Sequence, residues 1–565
     1  MKPSRMIAAA LVLCMACGCS AEVAQSADGS VQRNVIAYST KKAVHTLLPE
    51  NQQKVTLYSN DAKDLNSYEL FSQMLSSDGA YIGGENFVRL EKEVLYLQTS
   101  LQSYDSSTQA LNAEYILYSM KDGEAPVEID RDVQAITCSS DRSIYYEKVV
   151  DGMLCQYRYA DGEVSNVSES LGGDLAMITH CSRDDSVQAY VTVMVAADGS
   201  YTANNGYIRD GKQVAFSNPS AEAYFLSPDG KHLYTIEIAD EYGRSIHINY
   251  LSDPQSGEFI RAAEAVSEAL FYEDSGSMVC VANIQLDDGV MNPQGSLYYF
   301  DAATKSGSIL ADDAVTLIES AEKSYPWLNE NANEMIIVEL SGSSSFEKAV
   351  KDGQFHYINS DGTFCAVDLN GNSAEVFADL YLPESYSLSE DVYYLAEMDG
   401  AFYWAKGDKV YRYEAGSLSA PQSVSLEAEL SQKIESGMEI GYVLCKDGAV
   451  LEQSGSTLNV KPFDSESFTA FDGTEQIWIM GLDEGSETVY FLQGMDLMGK
   501  KLFADEAAVL IAENVYDAIV VDCGIYALCN YTDDGGELYY IDYKEYDAKL
   551  MDSDVLSLTD TMIQK

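Results

Sequence analysis

The stretch AYFLSPDGKHLYTIEI, residues 223–238, contains the pattern that decides the fold. An apolar run with aromatic residues leads into a Pro-Asp-Gly turn, and a second run follows in which apolar and polar residues alternate. Two further runs come after it, RSIHINYLSD at 244–253 and GEFIRAAE at 257–264. Alternation with a period of two, rich in β-branched and aromatic residues, is typical of half-buried strands. The pattern predicts three strands and a short outer strand in succession.

The same pattern recurs along the chain. The sequence has 40 tyrosines, and many follow Leu or a β-branched residue, as in Val94-Leu95-Tyr96, Val489-Tyr490-Phe491 and Leu538-Tyr539-Tyr540. Asp-Gly pairs, which suit the positive φ angles of tight hairpins, stand beside such segments, among them those at 122–123, 151–152, 161–162, 210–211, 229–230, 361–362, 399–400, 447–448 and 534–535. Helical periodicity is scarce, so the sequence predicts an all-β chain.

The spacing of the strand groups predicts the architecture. Units begin near residues 132, 174, 220, 266, 314, 387, 437, 473 and 514, with one more before 130. Most intervals are about 40 to 50 residues, the length of a four-stranded propeller blade. We therefore expect a β-propeller of seven or eight four-stranded blades, with N-terminal elements or an irregular blade taking up the surplus strands. A set of β-sandwiches, which also has a strand every 8 to 12 residues, is the alternative.

One segment carries a family resemblance. Ser227-Pro228-Asp229-Gly230-Lys231-His232-Leu233-Tyr234 resembles the S-P-D-G-K-x-[LI]-Y signature of TolB-like and WD40-like propeller repeats. LYYFDAATKSGSILADD, residues 297–313, is similar to the third strand, hairpin and fourth strand of such a repeat. The resemblance implies the propeller fold. It also implies a role in binding proteins, sugars or peptides, or in shaping the entrance to a separate catalytic domain.

The N-terminus predicts export. Lys2 and Arg5 precede the apolar run MIAAALVLCMAC at 6–17. This run is too short to cross a bilayer but fits an export signal. Its end resembles a bacterial lipoprotein signal, which implies acylation of Cys17 or, as second choice, Cys19. We expect a signal peptide at 1–16, a flexible tether at 17–32 and the propeller at 33–565. An ordinary cleaved secretory signal is the alternative.

The charge balance excludes one class of partner. The chain has 35 basic and 90 acidic residues, a formal net charge of −55. Nucleic-acid binding depends on Lys and Arg side chains that neutralise phosphates, so nucleic acid is not expected as a partner. The acidity favours solubility and repulsion between copies. A surface that binds polyvalent cations is the alternative interpretation.

The sequence offers no metal or cofactor motif. Its five histidines lie far apart, and no zinc-type spacing or G-x-S-x-G nucleophile elbow occurs. We therefore assign no catalytic residue, metal ligand or cofactor. Most cysteines stand singly in apolar runs, where buried thiols are expected. Cys523 and Cys529 form the one close pair that could be bridged.

The aromatic residues supply the candidate contacts. Aromatic side chains can stack on sugars or anchor a protein partner. Trp327, which precedes an Asn- and Glu-rich turn, and Trp404, within Phe402-Tyr403-Trp404, are the binding candidates.

These observations predict an exported, lipid-anchored β-propeller on the extracytoplasmic face of a bacterial membrane. Its expected role is that of a non-enzymatic module that binds a protein or glycan through one rim, because loops on a rigid scaffold usually carry such functions. The alternative is a propeller glycosidase or lyase with carboxylates in its central channel.

Overall fold

The computed structural model describes most of the chain. The described residues are 35–47, 52–60, 87–105, 110–172, 175–196, 200–215, 223–240, 243–251, 259–272, 276–285, 294–317, 346–347, 354–378, 380, 392–398, 401–414, 420–426, 442–445, 448–483, 485–521 and 523–561. Within them the secondary structure is nearly all β, with one short helix, α1 (Val167–Leu171). No helix in these ranges is long and apolar enough to cross a membrane.

Eight sheets of four or five strands follow one another along the chain. The first four are sheet 2, with β8 (Val133–Ser139), β9 (Ser143–Val150), β10 (Met153–Ala160) and β11 (Glu163–Asn166); sheet 3, with β12 (Leu175–Cys181), β13 (Val187–Val195), β14 (Tyr201–Arg209) and β15 (Lys212–Ala215); sheet 4, with β16 (Ala223–Leu226), β17 (His232–Asp240), β18 (Gly243–Tyr250) and β19 (Ile260–Val266); and sheet 5, with β20 (Glu268–Tyr272), β21 (Met278–Gln285), β22 (Gln294–Asp301), β23 (Ser306–Ala314) and, beside β20, β25 (Phe346–Glu347).

The next four sheets continue the series. They are sheet 6, with β24 (Thr316–Leu317), β26 (Gln354–Ile358), β27 (Phe364–Asp368) and β28 (Ser373–Phe377); sheet 7, with β29 (Val392–Met398), β30 (Ala401–Lys406), β31 (Lys409–Glu414) and β32 (Gln422–Ser425); sheet 8, with β33 (Tyr442–Cys445), β34 (Ala449–Ser454), β35 (Thr457–Pro462) and β36 (Phe468–Asp472); and sheet 9, with β37 (Ile477–Asp483), β38 (Thr488–Gln493), β39 (Asp496–Lys501) and β40 (Val509–Ala512).

Sheet 1 has eleven strands and joins the two ends of the series. Its members are β1 (Val35–Thr40), β2 (Ala43–Leu47), β3 (Lys54–Asn60), β4 (Phe87–Arg89), β5 (Val94–Asp105), β6 (Ala110–Met120), β7 (Val127–Arg131), β41 (Val515–Val521), β42 (Gly524–Thr532), β43 (Gly535–Asp542) and β44 (Ala548–Thr561). This composite sheet takes up the surplus strands expected from the sequence.

The first strands begin close to the positions at which the sequence places its units. Sheets 2 to 9 begin at Val133, Leu175, Ala223, Glu268, Thr316, Val392, Tyr442 and Ile477, and the C-terminal strands of sheet 1 begin at Val515. Several Asp-Gly pairs form the tight turns expected of them. Asp151 and Gly152, for example, have φ of 51° and 80° in the turn between β9 and β10.

Each sheet buries its two faces against two different neighbours. In sheet 4, Ile236 packs against Phe271 of sheet 5. Leu233, on the opposite face of the same strand, packs against Val187 of sheet 3. Equivalent apolar clusters join every successive pair of sheets from sheet 1 to sheet 9 and return to the C-terminal strands of sheet 1. Paired sandwiches would bury one face of each sheet, so the propeller prediction is confirmed.

Sheet 1 closes the ring by joining the first strand to the last. β44 pairs with β43 through one half of its length and with β1 through the other. Tyr38 donates to Asp552 Oδ2 at 2.8 Å and Lys54 donates to the same oxygen at 3.1 Å. Burial opposes ionisation of Asp552, but these two hydrogen bonds, together with one from the Ser553 N–H and the charge of Lys54, outweigh it and lower the pKa of the carboxyl.

The S-P-D-G-K segment forms the turn between the first and second strands of sheet 4. Ser227 Oγ accepts a hydrogen bond from the His232 N–H at 2.9 Å and donates one to Asp229 Oδ1 at 2.7 Å. Gly230 has a φ of 66°, and a Cβ there would lie 3.0 Å from the Cβ of Ser182. We call the end of each sheet that carries this turn the lower end, and the opposite end the upper end.

Lower-end turns of neighbouring sheets are joined by backbone hydrogen bonds. The Glu91 N–H donates to the Asp141 carbonyl at 2.9 Å, Asp141 to Arg183 at 2.9 Å, and Arg183 to Pro228 at 2.7 Å. This row ends at Pro228 because proline has no N–H to donate. The row fixes the spacing of sheets 1 to 4.

A buried carboxylate links sheets 2 and 3. Asp185, in the lower-end turn of sheet 3, has a side chain that is 6% exposed. It accepts hydrogen bonds from Ser143 Oγ at 2.8 Å, from Tyr145 OH at 2.9 Å and from Arg158 Nε at 3.0 Å, all in sheet 2. Its φ of 59° is one that Asp tolerates better than most residues. Asp185 is therefore a crosslink between two sheets.

Candidate binding surface

The structure places one of the two tryptophan candidates in the core. Trp404 is 1% exposed. Its ring packs against Phe364, Phe377 and Phe402, with centroids 4.9, 6.0 and 5.8 Å away. The strand that carries it is covered on both faces, by sheets 6 and 8. Trp404 is thus a packing residue and not a rim contact. Trp327, Cys17 and Cys19 lie outside the described residues, and their roles stay predictions.

The cysteines inside the described ranges all carry free thiols. Cys529 is buried, as expected for a thiol in an apolar strand, whereas Cys523 is exposed. The bridge considered between them is not present. No group of three or more His, Cys, Asp or Glu side chains in the described part of the chain is arranged to hold a metal ion.

A different tryptophan is exposed at the upper end of sheet 9. Trp478 is the second residue of β37, and its side chain is 43% exposed. Its neighbours Ile477 and Ile479 point toward sheet 8 and pack in the apolar cluster there. Trp478 points to the other side because successive side chains of a strand alternate. This alternation leaves an indole at the upper end of the ring.

The turn between β38 and β39 lies beside Trp478. Trp478 pairs with Leu492, and the turn at Gly494 and Met495 begins two residues after Leu492. Met495 is 52% exposed. Glu475 also reaches this turn, since its Oε2 is 3.1 Å from the place a Cβ of Gly494 would occupy. The exposed Met495 side chain and the Glu475 carboxylate therefore both lie at the β38–β39 turn, next to the strand that carries Trp478.

A second pair of aromatic residues lies at the same end of the ring, in sheet 1. Val515 packs toward sheet 9, so the next side chain of β41 points away from that sheet. The Val515 N–H donates to the Met495 carbonyl at 2.8 Å, and this hydrogen bond fixes the start of β41 against the β38–β39 turn. Tyr516, the next residue, is 57% exposed. Its ring stacks on Tyr531 with centroids 4.2 Å apart and an angle of 13°. The Tyr531 hydroxyl donates to the Leu556 carbonyl at 3.0 Å, so Tyr516 rests on a fixed support.

We call Trp478, Met495, Tyr516 and Tyr531 the aromatic surface. Three exposed carboxylates flank it in the chain, those of Glu475, Asp496 and Glu513. Trp, Tyr and Met are enriched in the cores of protein interfaces, and an aromatic face can also stack on a sugar or a cation. The arrangement is suited to binding.

The titratable groups with large pKa shifts lie elsewhere. Burial raises the pKa of Glu147 to about 7. A carboxyl with this pKa could act as a general acid, but Glu147 is buried in the second strand of sheet 2, away from the inner edge of the ring. Burial also lowers the pKa values of His45, His180 and His356 to about 4. These shifts follow from packing and support no catalytic role.

His356 gives a test of the packing around Trp404. Its ring stacks on Phe364 at 5.4 Å and 6°, and its Nε2 has no hydrogen-bond partner among the described residues. Because its pKa is lowered, the unfolded chain takes up a proton between about pH 6.5 and 4 that the folded chain does not. Its contribution to stability is complete above pH 6.5 and is lost as the pH falls toward 4.

We expect H356F to remove this loss in the free energy of unfolding, which amounts to about 3 kcal/mol at pH 4. Melting temperatures measured from pH 8 to pH 4 should fall less steeply for the variant, while at pH 8 its melting temperature should equal or exceed that of the parent. Parallel curves for the two proteins would show that His356 is not held neutral by burial.

A second exposed apolar area lies on the outer strands. Phe468 of β36 and Phe503, after β39, have ring centroids 5.9 Å apart, and Val509 at the start of β40 is 52% exposed. The ammonium of Lys500 donates to the Ala504 carbonyl at 2.7 Å and fixes the loop that carries Phe503. Phe503 is 49% exposed, which makes it a matched control for Trp478.

Sequence reasoning did not single out Trp478 or Tyr516. Their position in the strand could have identified them. Each is the second residue of the first strand of a sheet and follows a buried residue. Gln134, the second residue of β8, is exposed in the same way. Aligning the strand starts, rather than weighing each aromatic residue by its neighbours, would have shown two large aromatic side chains at one exposed position.

No protein-family model and no curated protein sequence matches the chain. Solved structures similar to it include TolB from Acinetobacter baumannii, with 12% identity, 48% of this chain and 62% of that one covered, and a TM-score of 0.23. Others are the tricorn protease, with 12% identity, 77% and 43% covered and a TM-score of 0.22, and Porphyromonas gingivalis dipeptidyl peptidase 4, with 10% identity, 80% and 67% covered and a TM-score of 0.37. The chain spans less than two thirds of TolB and of the tricorn protease. The fold assignment rests on the pairing and packing of the sheets.

Proposed function

We propose that the protein is an exported, lipid-anchored binding module on the extracytoplasmic face of a bacterial membrane. It recognises a macromolecular ligand through the aromatic surface. The observation that carries this proposal is the exposure of Trp478, Met495 and Tyr516 at adjoining upper ends of sheets 9 and 1. Exposed side chains of these types on a fixed backbone are what a binding interface requires.

The rigidity of the scaffold supports a binding role. The Tyr516 ring stacks on Tyr531, and the turn that carries Met495 is hydrogen-bonded to β41. A surface that is already ordered loses little conformational entropy when a ligand binds. The N-terminal sequence supports the location, since an export signal that ends at Cys17 and Cys19 is typical of bacterial lipoproteins.

A photo-crosslinking experiment tests the binding surface. A photoreactive phenylalanine analogue is placed at position 478, 516 or 503 of the full-length protein in the bacterium that makes it. We expect crosslinked products from positions 478 and 516 at about five times the yield at position 503 or more, because ligand contacts concentrate at the centre of an interface. Equal yields at the three positions would contradict the proposal.

Metabolic labelling with a fatty acid tests the anchor. We expect the label to be lost in C17A and retained in C19A, since Cys17 stands at the Ala-Cys-Gly junction. The reverse pattern would identify Cys19 as the acylated residue. Label absent from the parent protein, with a cleaved N-terminus by intact mass, would indicate an ordinary secretory signal.

A further inference from the structure

The aromatic surface has a chemical character that narrows its ligand. Trp478 and Tyr516 are 43% and 57% exposed, so part of an indole and part of a phenol ring are open to solvent. The faces of such rings carry a negative quadrupole and attract Arg and Lys side chains. Tyr531 covers one face of the Tyr516 ring, with centroids 4.2 Å apart, so the other face is the one available to a ligand.

Exposed carboxylates occur near both rings in the chain. Glu475 lies against the turn that carries Met495, 3.1 Å from a Cβ built on Gly494. Gly494 has a φ of 64° and leaves the space that this carboxylate uses. Glu513 is exposed and lies three residues before Tyr516. Each ring thus has an exposed carboxylate three residues before it in the chain, Glu475 for Trp478 and Glu513 for Tyr516. A carboxylate of this kind can form a charge-assisted hydrogen bond with a guanidinium.

The net charge of the chain also favours a cationic ligand. A net charge of −55 attracts cationic ligands and repels anionic ones over distances of about a Debye length. A neutral glycan could stack on the rings but would gain nothing from this field. A basic polypeptide would be stabilised both by contacts with the aromatic rings and by attraction to the negative charge of the chain.

We propose that the aromatic surface binds a basic segment of a polypeptide, with Arg or Lys side chains stacked on Trp478 and Tyr516 and paired with Glu475 or Glu513. This inference rests on the proposed function and specifies its ligand. Met495, exposed on the turn that is hydrogen-bonded to the start of β41, supplies a further apolar contact at the same end of the ring. Cation–π contacts and desolvated charge pairs together give both affinity and dependence on salt.

The test uses the full-length protein, solubilised from membranes, and four probes: capped hexa-arginine, hexalysine, hexaglutamate and cellohexaose. Affinities are measured by calorimetry in the parent, in W478A/Y516A, in E475Q/E513Q and in the control F503A. We expect hexa-arginine to bind most tightly, because its planar group stacks on aromatic faces better than ammonium does. W478A/Y516A should weaken it at least about tenfold, and F503A should leave it unchanged.

Each other result overturns the inference in an identifiable way. Equal affinity of hexa-arginine for the parent and W478A/Y516A would show diffuse attraction to the acidic chain. Cellohexaose binding that depends on Trp478, without specific binding of hexa-arginine, would make the surface a glycan site and leave the proposed function standing. Absence of specific binding by all probes would overturn the basic-ligand inference, and if positions 478 and 516 also gave no excess crosslinking, the proposed function would fail as well.

Discussion

Replacing Glu452 by alanine is expected to lower the free energy of unfolding by about 3–5 kcal/mol, the largest effect of any single substitution considered. The Glu452 side chain is completely buried and forms an ion pair with Lys461 on the next strand. Lys461 Nζ also donates to the Ser425 carbonyl at 3.0 Å, in sheet 7. Removing the carboxylate leaves an ammonium that is largely buried and has no counterion to compensate its lost hydration.

The loss in the free energy of unfolding depends on which side chains replace the Glu452–Lys461 ion pair. E452L/K461M, which removes both charges and keeps the volume, should be more stable than E452A. The control is E264A, which breaks the surface pair of Glu264 with Arg261, whose side chains are 57% and 60% exposed. We expect it to cost at most about 1 kcal/mol. Calorimetric melting compares the four proteins, and equal losses in E452A and E264A would show that burial does not set the energy of the pair.

Replacing Asp185 by alanine is expected to cost about 2–4 kcal/mol. The substitution leaves the Tyr145 hydroxyl and the Arg158 guanidinium without their acceptor at the junction of sheets 2 and 3. D185N keeps an oxygen acceptor and tolerates the positive φ, so its melting temperature should fall between those of the parent and D185A.

Asp184 supplies the control from the same turn. It is exposed and bonds to Ser182 and Ser186 within its own loop, so D184A should cost about 1 kcal/mol or less. A double-mutant cycle with Y145F separates the inter-sheet bond from the general effect of losing a charge, because coupled residues show non-additive losses. Additive losses in D185A and Y145F would show that the two side chains do not act together.

The sequence predicts the fold well because the signals it uses are local. Alternation along a strand and Asp-Gly turns depend on a few adjacent residues, and these recur at the intervals of a propeller blade. The strand starts at Val133 and Val515, for example, fall within one residue of the expected positions 132 and 514. The closing arrangement of sheet 1, with β1 beside β44, depends on pairing between distant segments and could not be derived in this way.

The sequence predicts the candidate site poorly because exposure depends on the neighbouring sheets. Trp404 lies in an aromatic run that looks conspicuous in the sequence, but sheets 6 and 8 cover both faces of its strand. Trp478 lies in the run Ile477-Trp478-Ile479, which has no conspicuous motif, and its exposure follows from its place at the start of a first strand. A linear pattern does not distinguish these two environments.

The meeting of the first and last strands has a consequence for biogenesis. Tyr38 and Asp552 stand 514 positions apart, and their hydrogen bond can form only after the whole intervening chain has been synthesised. The entropy of closing so long a loop grows only slowly with its length, so the penalty falls on the rate of assembly more than on the final stability. Until β44 arrives, the free edge of β1 offers its amide and carbonyl groups to any other strand. We therefore expect that chains in which β44 has not yet paired with β1 must be kept from associating with one another during folding.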